Sequence, residues 1–220
     1  MGAIDGYILR RSAKIVGQTI SPWYRPVKRL MDVSISTLML IVALPVLIPS
    51  AVAILLDSGW PIFHKRTVVG LGGKAFEAFK LRTMSEEDAP ILDHGGLSEE
   101  YKNNHKLKED PRVTRVGKLL RKASIDELPQ LLNVLKGEMS LVGPRMISFP
   151  ELEKFGEWQD KILEVKPGIT GLWQVSGRSD LDYEDRVRLN VYYVDKRSVM
   201  LDLKILAKTI PAVLSGKGAY

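Results

Sequence analysis

The chain has no cysteine among its 220 residues. Disulfide staples and thiolate metal sites are therefore excluded. Histidine is scarce: His64, His94 and His105 are widely spread and form no HExxH-like pair, so the sequence carries no zinc signature. Internal repeats, low-complexity tracts and a second soluble domain are also lacking. Acidic residues are outnumbered, with 26 Asp+Glu against 32 Lys+Arg, for a net charge of +6. That excess points to an anionic partner: nucleic acid, an anionic lipid surface or a phosphorylated substrate. The basic residues are not interleaved with aromatics, which argues against nucleic acid.

Charge is absent altogether from one stretch. Val33 to Leu56, VSISTLMLIVALPVLIPSAVAILL, runs 24 residues without an ionisable group. No small-x-small cleavage site follows it, so it reads as part of the mature protein rather than a secretory signal. Its length would let one helix cross a bilayer. Pro45 and Pro49 interrupt the middle, where each removes a helical hydrogen bond and favours a bend. The arms on either side, Val33–Leu44 and Val46–Leu56, would each reach only about 16–18 Å at 1.5 Å per residue. That suits a hairpin dipping into one leaflet. Arg25, Lys28 and Arg29 precede the segment and His64, Lys65 and Arg66 follow it. Positive charge on both sides favours both ends in the cytoplasm. A Pro-kinked single span and a buried core helix remain open alternatives on these features. The basic, aromatic-bearing N-terminus could lie on headgroups or be a polar tail.

Beyond Asp57 the pattern is that of a mixed α/β domain. PIFHKRTVVG and KAFEAFKLRT read as two strands joined at Leu71–Gly73. A polar region follows, with a short helix expected around Ser98–Lys106. Arg115–Lys122 reads as a basic helix. A further helix starts at Ser124 and should stop at Gly137–Glu138. Ile147–Leu163 is amphipathic. Pro167–Gly177 reads as a loop with GLWQV as its strand-like centre. Leu181–Asp195 and Val199–Leu214 read as helices. The last carries a stripe of Met200, Leu203, Leu206, Ala207, Ile210, Val213 and Leu214, fit either for a core or for a membrane surface, and Pro211 should bend it.

Asp126 and Glu127 admit two readings. Ser124-Ile125-Asp126-Glu127 fits a capping box, with Ser124 capping the helix and Glu127 reaching back. That accounts for both acids structurally. Alternatively, a helix N-terminus amid Arg112, Arg115, Lys118, Arg121 and Lys122 attracts phosphate and keeps a carboxylate ionised. An ionised Asp can attack phosphorus and form an acyl-phosphate, and an adjacent Glu can hold Mg²⁺. Lys80 and Arg82, two apart on a strand, and Arg145, after a Gly-Pro turn, are candidate phosphate contacts. Each alone is equally well an ordinary surface charge.

Taken in order, KRLMD (28–32), FKLRTM (79–84), DPRVTRVGKLLRKASIDELPQLLNVLKGEMSLVGPR (110–145), KPGITGLWQVSGR (166–178) and LDLKIL (201–206) resemble the bacterial sugar transferases of the monotopic phosphoglycosyl transferase type. The resemblance covers about Pro26 to Tyr220. It implies an N-terminal basic segment (1–27), a re-entrant membrane helix hairpin (28–57) broken at Pro45, and a small cytoplasm-facing catalytic domain (58–220) with amphipathic interfacial helices. It implies Asp126 as covalent nucleophile, Glu127 as Mg²⁺ ligand, and Lys80, Arg82, Arg145 and Arg178 as phosphate or substrate contacts. The sequence departs from the family pattern in places. Leu44 stands where a serine usually precedes the breaking proline, Met146 where a second proline usually follows the arginine, and Leu81 where many relatives have an aromatic. DHGGLSEEYKNNHKLKEDPRVTRVG and GRSDLDY are most similar to the hexose-1-phosphate transferases, many of which carry extra N-terminal membrane helices and an accessory domain not found in this sequence. The implied reaction takes hexose-1-phosphate from UDP-galactose or UDP-glucose to undecaprenyl phosphate at the bacterial inner membrane. Implied partners are the phospholipid membrane, downstream glycosyltransferases and a possible second copy of the chain. A membrane-bound nucleotide-sugar hydrolase and a non-enzymatic basic anchor are the alternatives.

Overall fold

The computed structural model describes residues 20–85, 110–177 and 181–214. The helix expected at Ser98–Lys106, Arg178 and most of the N-terminal segment lie outside these residues.

Helix α1, Tyr24–Ser58, contains the whole uncharged stretch, with Pro45 and Pro49 inside it. The helix runs unbroken through both prolines rather than breaking at Pro45, and the Ser50 hydroxyl donates to Val46 O at 2.7 Å, a back-bond of the kind that bends helices. The helix is long and apolar enough to cross a membrane, and little of its most apolar window is buried in protein. Leu38, Ile41, Val42, Ile48 and Val52 are exposed. Yet both arms touch the same domain. Ile35 and Leu40 pack on the main core, whereas Leu47 and Ile54 join a second cluster with Leu81 and Leu120.

Strands β1 (Phe63–Val69) and β2 (Ala75–Leu81) form the expected antiparallel hairpin, with Phe63 opposite Leu81 and Val69 opposite Ala75. A 3₁₀ turn at Leu71–Gly73 joins them. Helix α2, Arg115–Lys122, follows, with the Thr114 side chain accepting from Gly117 N. Helix α3, Gln130–Lys136, ends where the sequence predicts: Gly137, at φ 85°, adopts the left-handed conformation that only glycine takes easily. Strand β3 (Ser140–Val142) pairs in parallel with β4 (Gly168–Thr170). The strand thus precedes the expected GLWQV centre, and Trp173–Val175 is a 3₁₀ turn instead. Between them the amphipathic 147–163 stretch breaks into short helices α4 (Phe149–Glu153) and α5 (Gln159–Ile162) around Gly156. Helices α6 (Tyr183–Lys196) and α7 (Val199–Leu214) complete the domain. The core they enclose includes Val68, Leu131, Val134, Met139, Val142 and Val194.

Helix α7 divides its stripe: Leu206 packs on the main core. Met200, Leu203, Ala207, Ile210 and Val213 are exposed, while Asp202 and Ile205 face the core. Apolar residues on one helical face, without protein cover, suit a lipid boundary.

The family-like KRLMD and LDLKIL motifs meet in space. Asp202 accepts from Lys28 Nζ (2.9 Å), Tyr24 OH (3.1 Å) and Tyr193 OH (2.8 Å). Asp32 accepts from Ser140 Oγ (3.0 Å) and Leu141 N (3.1 Å). Arg29 donates to Val134 O and Leu135 O, both at 2.7 Å, at the carbonyl end of α3. Tyr24, Lys28 and Asp32 are spaced four apart, so these three polar contacts lie on one face of α1. Lys28 and Arg29, expected to flank a membrane segment, are used inside the protein.

Candidate active site

The acid pair lies on a 3₁₀ turn, Ile125–Glu127, ahead of α3. The capping box does not form. Ser124 sits at φ 55° and its side chain makes no capping bond. A non-glycine residue held there costs about 1–3 kcal/mol and is concentrated at functional sites. Glu127 turns instead to two cations. Its Oε1 accepts from Lys80 Nζ at 2.7 Å and from Arg145 Nη2 at 3.1 Å. Asp126 is buried, and its one ion-pair contact among the described residues is Lys80 Nζ at 3.8 Å.

Neighbouring elements fix each cation. Asn133, fully buried on α3, acts as a third strand beside β2: its side chain accepts from Phe79 N (3.0 Å) and donates to Glu77 O (2.7 Å). This locks β2 to α3 and places Lys80 against the acid turn. Arg145 follows a junction where two backbones touch. Gly143 N donates to Thr170 O and Gly168 N to Pro144 O. A Cβ on Gly168 would lie 2.1 Å from Gly143 N, so the junction requires glycine. Met146, where the resemblance implies a second proline, is buried in the core, and Ile147 O accepts from Val69 N at 2.9 Å. The loop carrying Arg145 is thus tied on both sides without the second proline.

Electrostatics divide the two acids. Burial pushes the Asp126 carboxyl above the usual carboxylate range, against the opposing pull of Lys80 and Arg121. Burial also acts to raise Glu127, but Arg145 and Lys80 together outweigh it and hold Glu127 at about 2. Glu127 is therefore the permanently charged member, and Asp126 the one with a less stabilised charge.

Of the sequence-derived candidates, Asp126, Glu127, Lys80 and Arg145 come together. Arg82 does not join them: its guanidinium is occupied by backbone oxygens of Ser58, Gly59 and Trp60 at the end of α1. Arg121, named only as one of several surrounding basic residues, is the further cation acting on Asp126, and its Nε donates to Thr83 Oγ1 at 2.9 Å. The spacing of five between Arg121 and Asp126 offers no periodic signal, because the left-handed turn at Ser124 separates them.

Residues 23–216 match the bacterial sugar transferase family. The chain is 43% identical over 198 residues to the exopolysaccharide production protein ExoY of Sinorhizobium fredii, covering 88% of each. It is 45% identical over 202 residues to the undecaprenyl-phosphate galactose phosphotransferase of Salmonella typhimurium, covering 89% of this chain and 42% of that protein. It is 39% identical over 203 residues to the UDP-glucose:undecaprenyl-phosphate glucose-1-phosphate transferase of Caulobacter vibrioides, covering 88% of this chain and 72% of the other. The chain thus spans less than half the length of some relatives and most of others. With a matched family region enclosing every element described above, the chain belongs to the bacterial sugar transferases.

Proposed function

We propose that the protein transfers hexose-1-phosphate from a UDP-hexose, galactose or glucose, to undecaprenyl phosphate. It would do so at the cytoplasmic face of a bacterial inner membrane, as an early membrane step in exopolysaccharide or O-antigen-type synthesis. The observation that carries the reading is the contrast at 126–127: a buried, under-coordinated carboxylate beside one held by two cations.

The reaction balances in two steps. An Asp126 oxygen attacks the phosphorus bonded to the sugar. The bond from that phosphorus to the bridging oxygen breaks, and UMP leaves with the electron pair. An oxygen of the lipid phosphate then attacks the phosphosugar-aspartate, and the Asp126 carboxylate is regenerated. No proton needs to move. Burial leaves Asp126 poorly solvated and therefore reactive once ionised. Lys80 and Arg145 offset the repulsion between carboxylate and diphosphate. Arg178 is retained as a contact to nucleotide or sugar.

The acid pair also fits Mg²⁺. Both cations contact Oε1 of Glu127, which leaves Oε2 to a hard ion, and the low pKa keeps the group charged. No cluster of three or more metal-binding side chains occurs among the described residues. One or two carboxylates completed by substrate phosphates and water is the usual Mg²⁺ arrangement. The ion would stabilise charge on the diphosphate and departing UMP.

A re-entrant α1 fits the same proposal. Both arms rest on one small domain, and two prolines with the Ser50 back-bond mark the middle. The exposed face of α7 would lie at the lipid boundary, bringing Asp126 to the height of the acceptor phosphate.

UMP release in nanodiscs with Mg²⁺, comparing UDP-galactose, UDP-glucose and UDP-N-acetyl sugars with and without undecaprenyl phosphate, tests this. Sustained release should require the lipid and one UDP-hexose. Sustained release without lipid would replace the transferase with a hydrolase.

A further inference from the structure

We propose that Arg82 is a positioning residue that fixes the height of the catalytic carboxylates relative to the membrane end of α1, through the four-residue run Lys80–Thr83. This rests on the transferase reading above.

Arg82 is buried at 7% exposure. Its Nη2 donates to Ser58 O, Ser58 Oγ (3.0 Å) and Gly59 O, and its Nη1 to Trp60 O (3.3 Å). Its backbone N–H donates to Ile62 O at 2.8 Å. Side chain and main chain thus both grip the segment that leaves α1. The last carbonyls of a helix have no partner within it and carry the negative end of its dipole. Unsatisfied carbonyls at the edge of lipid are costly. A planar guanidinium presents five donors in a fixed fork, whereas an ammonium offers three on a flexible stem. Arg82 Nε, buried there too, has no hydrogen-bond partner among the described residues, so the helix-end contacts determine how the side chain lies.

The neighbours of Arg82 connect the same run to the chemistry. Lys80, about 7 Å away along a strand, contacts both catalytic acids. Leu81 packs with Ile54 of α1 and Leu120 of α2. Thr83 Oγ1 accepts from Arg121, and Thr83 O accepts from Thr114 N at the start of α2. A Cβ on Gly117 would fall 2.2 Å from Thr83 O, so α2 is pressed directly onto the run. No flexible linker separates the helix end from the residues that set Asp126.

The two half-reactions should feel this connection differently. UDP-sugar arrives from water and finds Asp126 at any height. The lipid phosphate is confined to the membrane surface, so an error in height penalises only the second transfer. Misplacement near 1 Å can cost about 100-fold.

The test compares unsubstituted protein with Arg82→Met and Arg82→Lys in three assays. These are exchange of labelled UMP into UDP-hexose, transfer to undecaprenyl phosphate in nanodiscs, and transfer to a short-chain polyprenyl phosphate soluble in detergent. We expect Arg82→Met to lose about 10- to 100-fold in the nanodisc assay while exchange and short-chain transfer stay near the unsubstituted rates. Arg82→Lys should fall between. Equal losses in all three assays, or no loss in nanodiscs, would overturn the proposal. Should Arg82→Met fail to fold by circular dichroism, Arg82→Lys decides by the same comparison. Absence of exchange by the unsubstituted protein would overturn the transferase reading itself, and this inference with it.

Discussion

Asp126 and Asp202 are both buried aspartates, and burial is the largest influence raising the pKa of each. They differ in what surrounds them. Asp202 has no exposure and three donors, Lys28, Tyr24 and Tyr193, with Tyr193 OH also 3.0 Å from Val142 O. Among the described residues Asp126 has Lys80 Nζ at 3.8 Å, the weaker pull of Arg121, and a strained residue two positions before it. A carboxylate with filled lone pairs holds elements together: Asp202 joins α1, α6 and α7. Asp126, drawn toward charge by Lys80, Arg121 and its own backbone N–H against the effect of burial, suits the proposed nucleophile. Buried acids in one domain can thus be sorted by coordination rather than by depth.

Removing the well-coordinated acid sharpens the comparison most. Asp202→Ala leaves the Lys28 ammonium without its buried partner, and a broken buried pair costs about 3–5 kcal/mol. Denaturation in detergent should show that loss. A stability change under about 1 kcal/mol would mean that the network does not hold α1.

Glu127→Gln comes next. Lys80 and Arg145 lose their shared charge, and stability should fall by about 1–3 kcal/mol together with Mg²⁺-dependent turnover. A stability loss with unchanged turnover would assign Glu127 a purely structural role.

The acid limb of turnover gives a subtler test. Asp126 must be ionised to attack, and its pKa is raised, so activity should fall with decreasing pH above the usual carboxylate range. Lys80 lowers that pKa and Glu127 raises it. Lys80→Met should therefore move the limb upward and Glu127→Gln downward. Stability follows the opposite pattern at the two acids. The contribution from the raised pKa of Asp126 is full below its unfolded value and is lost as pH rises through the folded one. That from Glu127 is present above its unfolded value of 4.5 and is lost as pH falls towards about 2. Limbs that shift together in the two variants would break the electrostatic account.

The smallest effect concerns Ser124. Because its side chain makes no capping bond, Ser124→Ala should change stability by less than about 0.5 kcal/mol, whereas loss of a true cap costs about 1 kcal/mol. Thermal denaturation distinguishes the two.

Much of this architecture is legible in local sequence. The β1–β2 hairpin follows from two runs of β-formers around LGG, α2 from its basic run, and the end of α3 from Gly137. Local rules misread the acid turn, because S-x-x-E has the spacing of a capping box while Lys80 and Arg145 compete for Glu127 from 47 and 18 residues away. They also miss the role of Arg82, whose alternation with Lys80 suggests a shared target although its partners lie 22–24 residues upstream. The Tyr24–Asp202 contact spans 178 positions, beyond any periodic pattern. Local patterns convey secondary structure and motif identity, while long-range pairing places the charged residues.

The most direct test of the central claim is to mix the protein with Mg²⁺ and UDP-hexose labelled in its sugar, without lipid acceptor, quench in acid and identify the modified residue by mass spectrometry. The account predicts one hexose-phosphate on Asp126, lost on adding undecaprenyl phosphate and absent from Asp126→Asn, which keeps its fold and releases no UMP. Label on another residue, or sustained UMP release by Asp126→Asn, would contradict it.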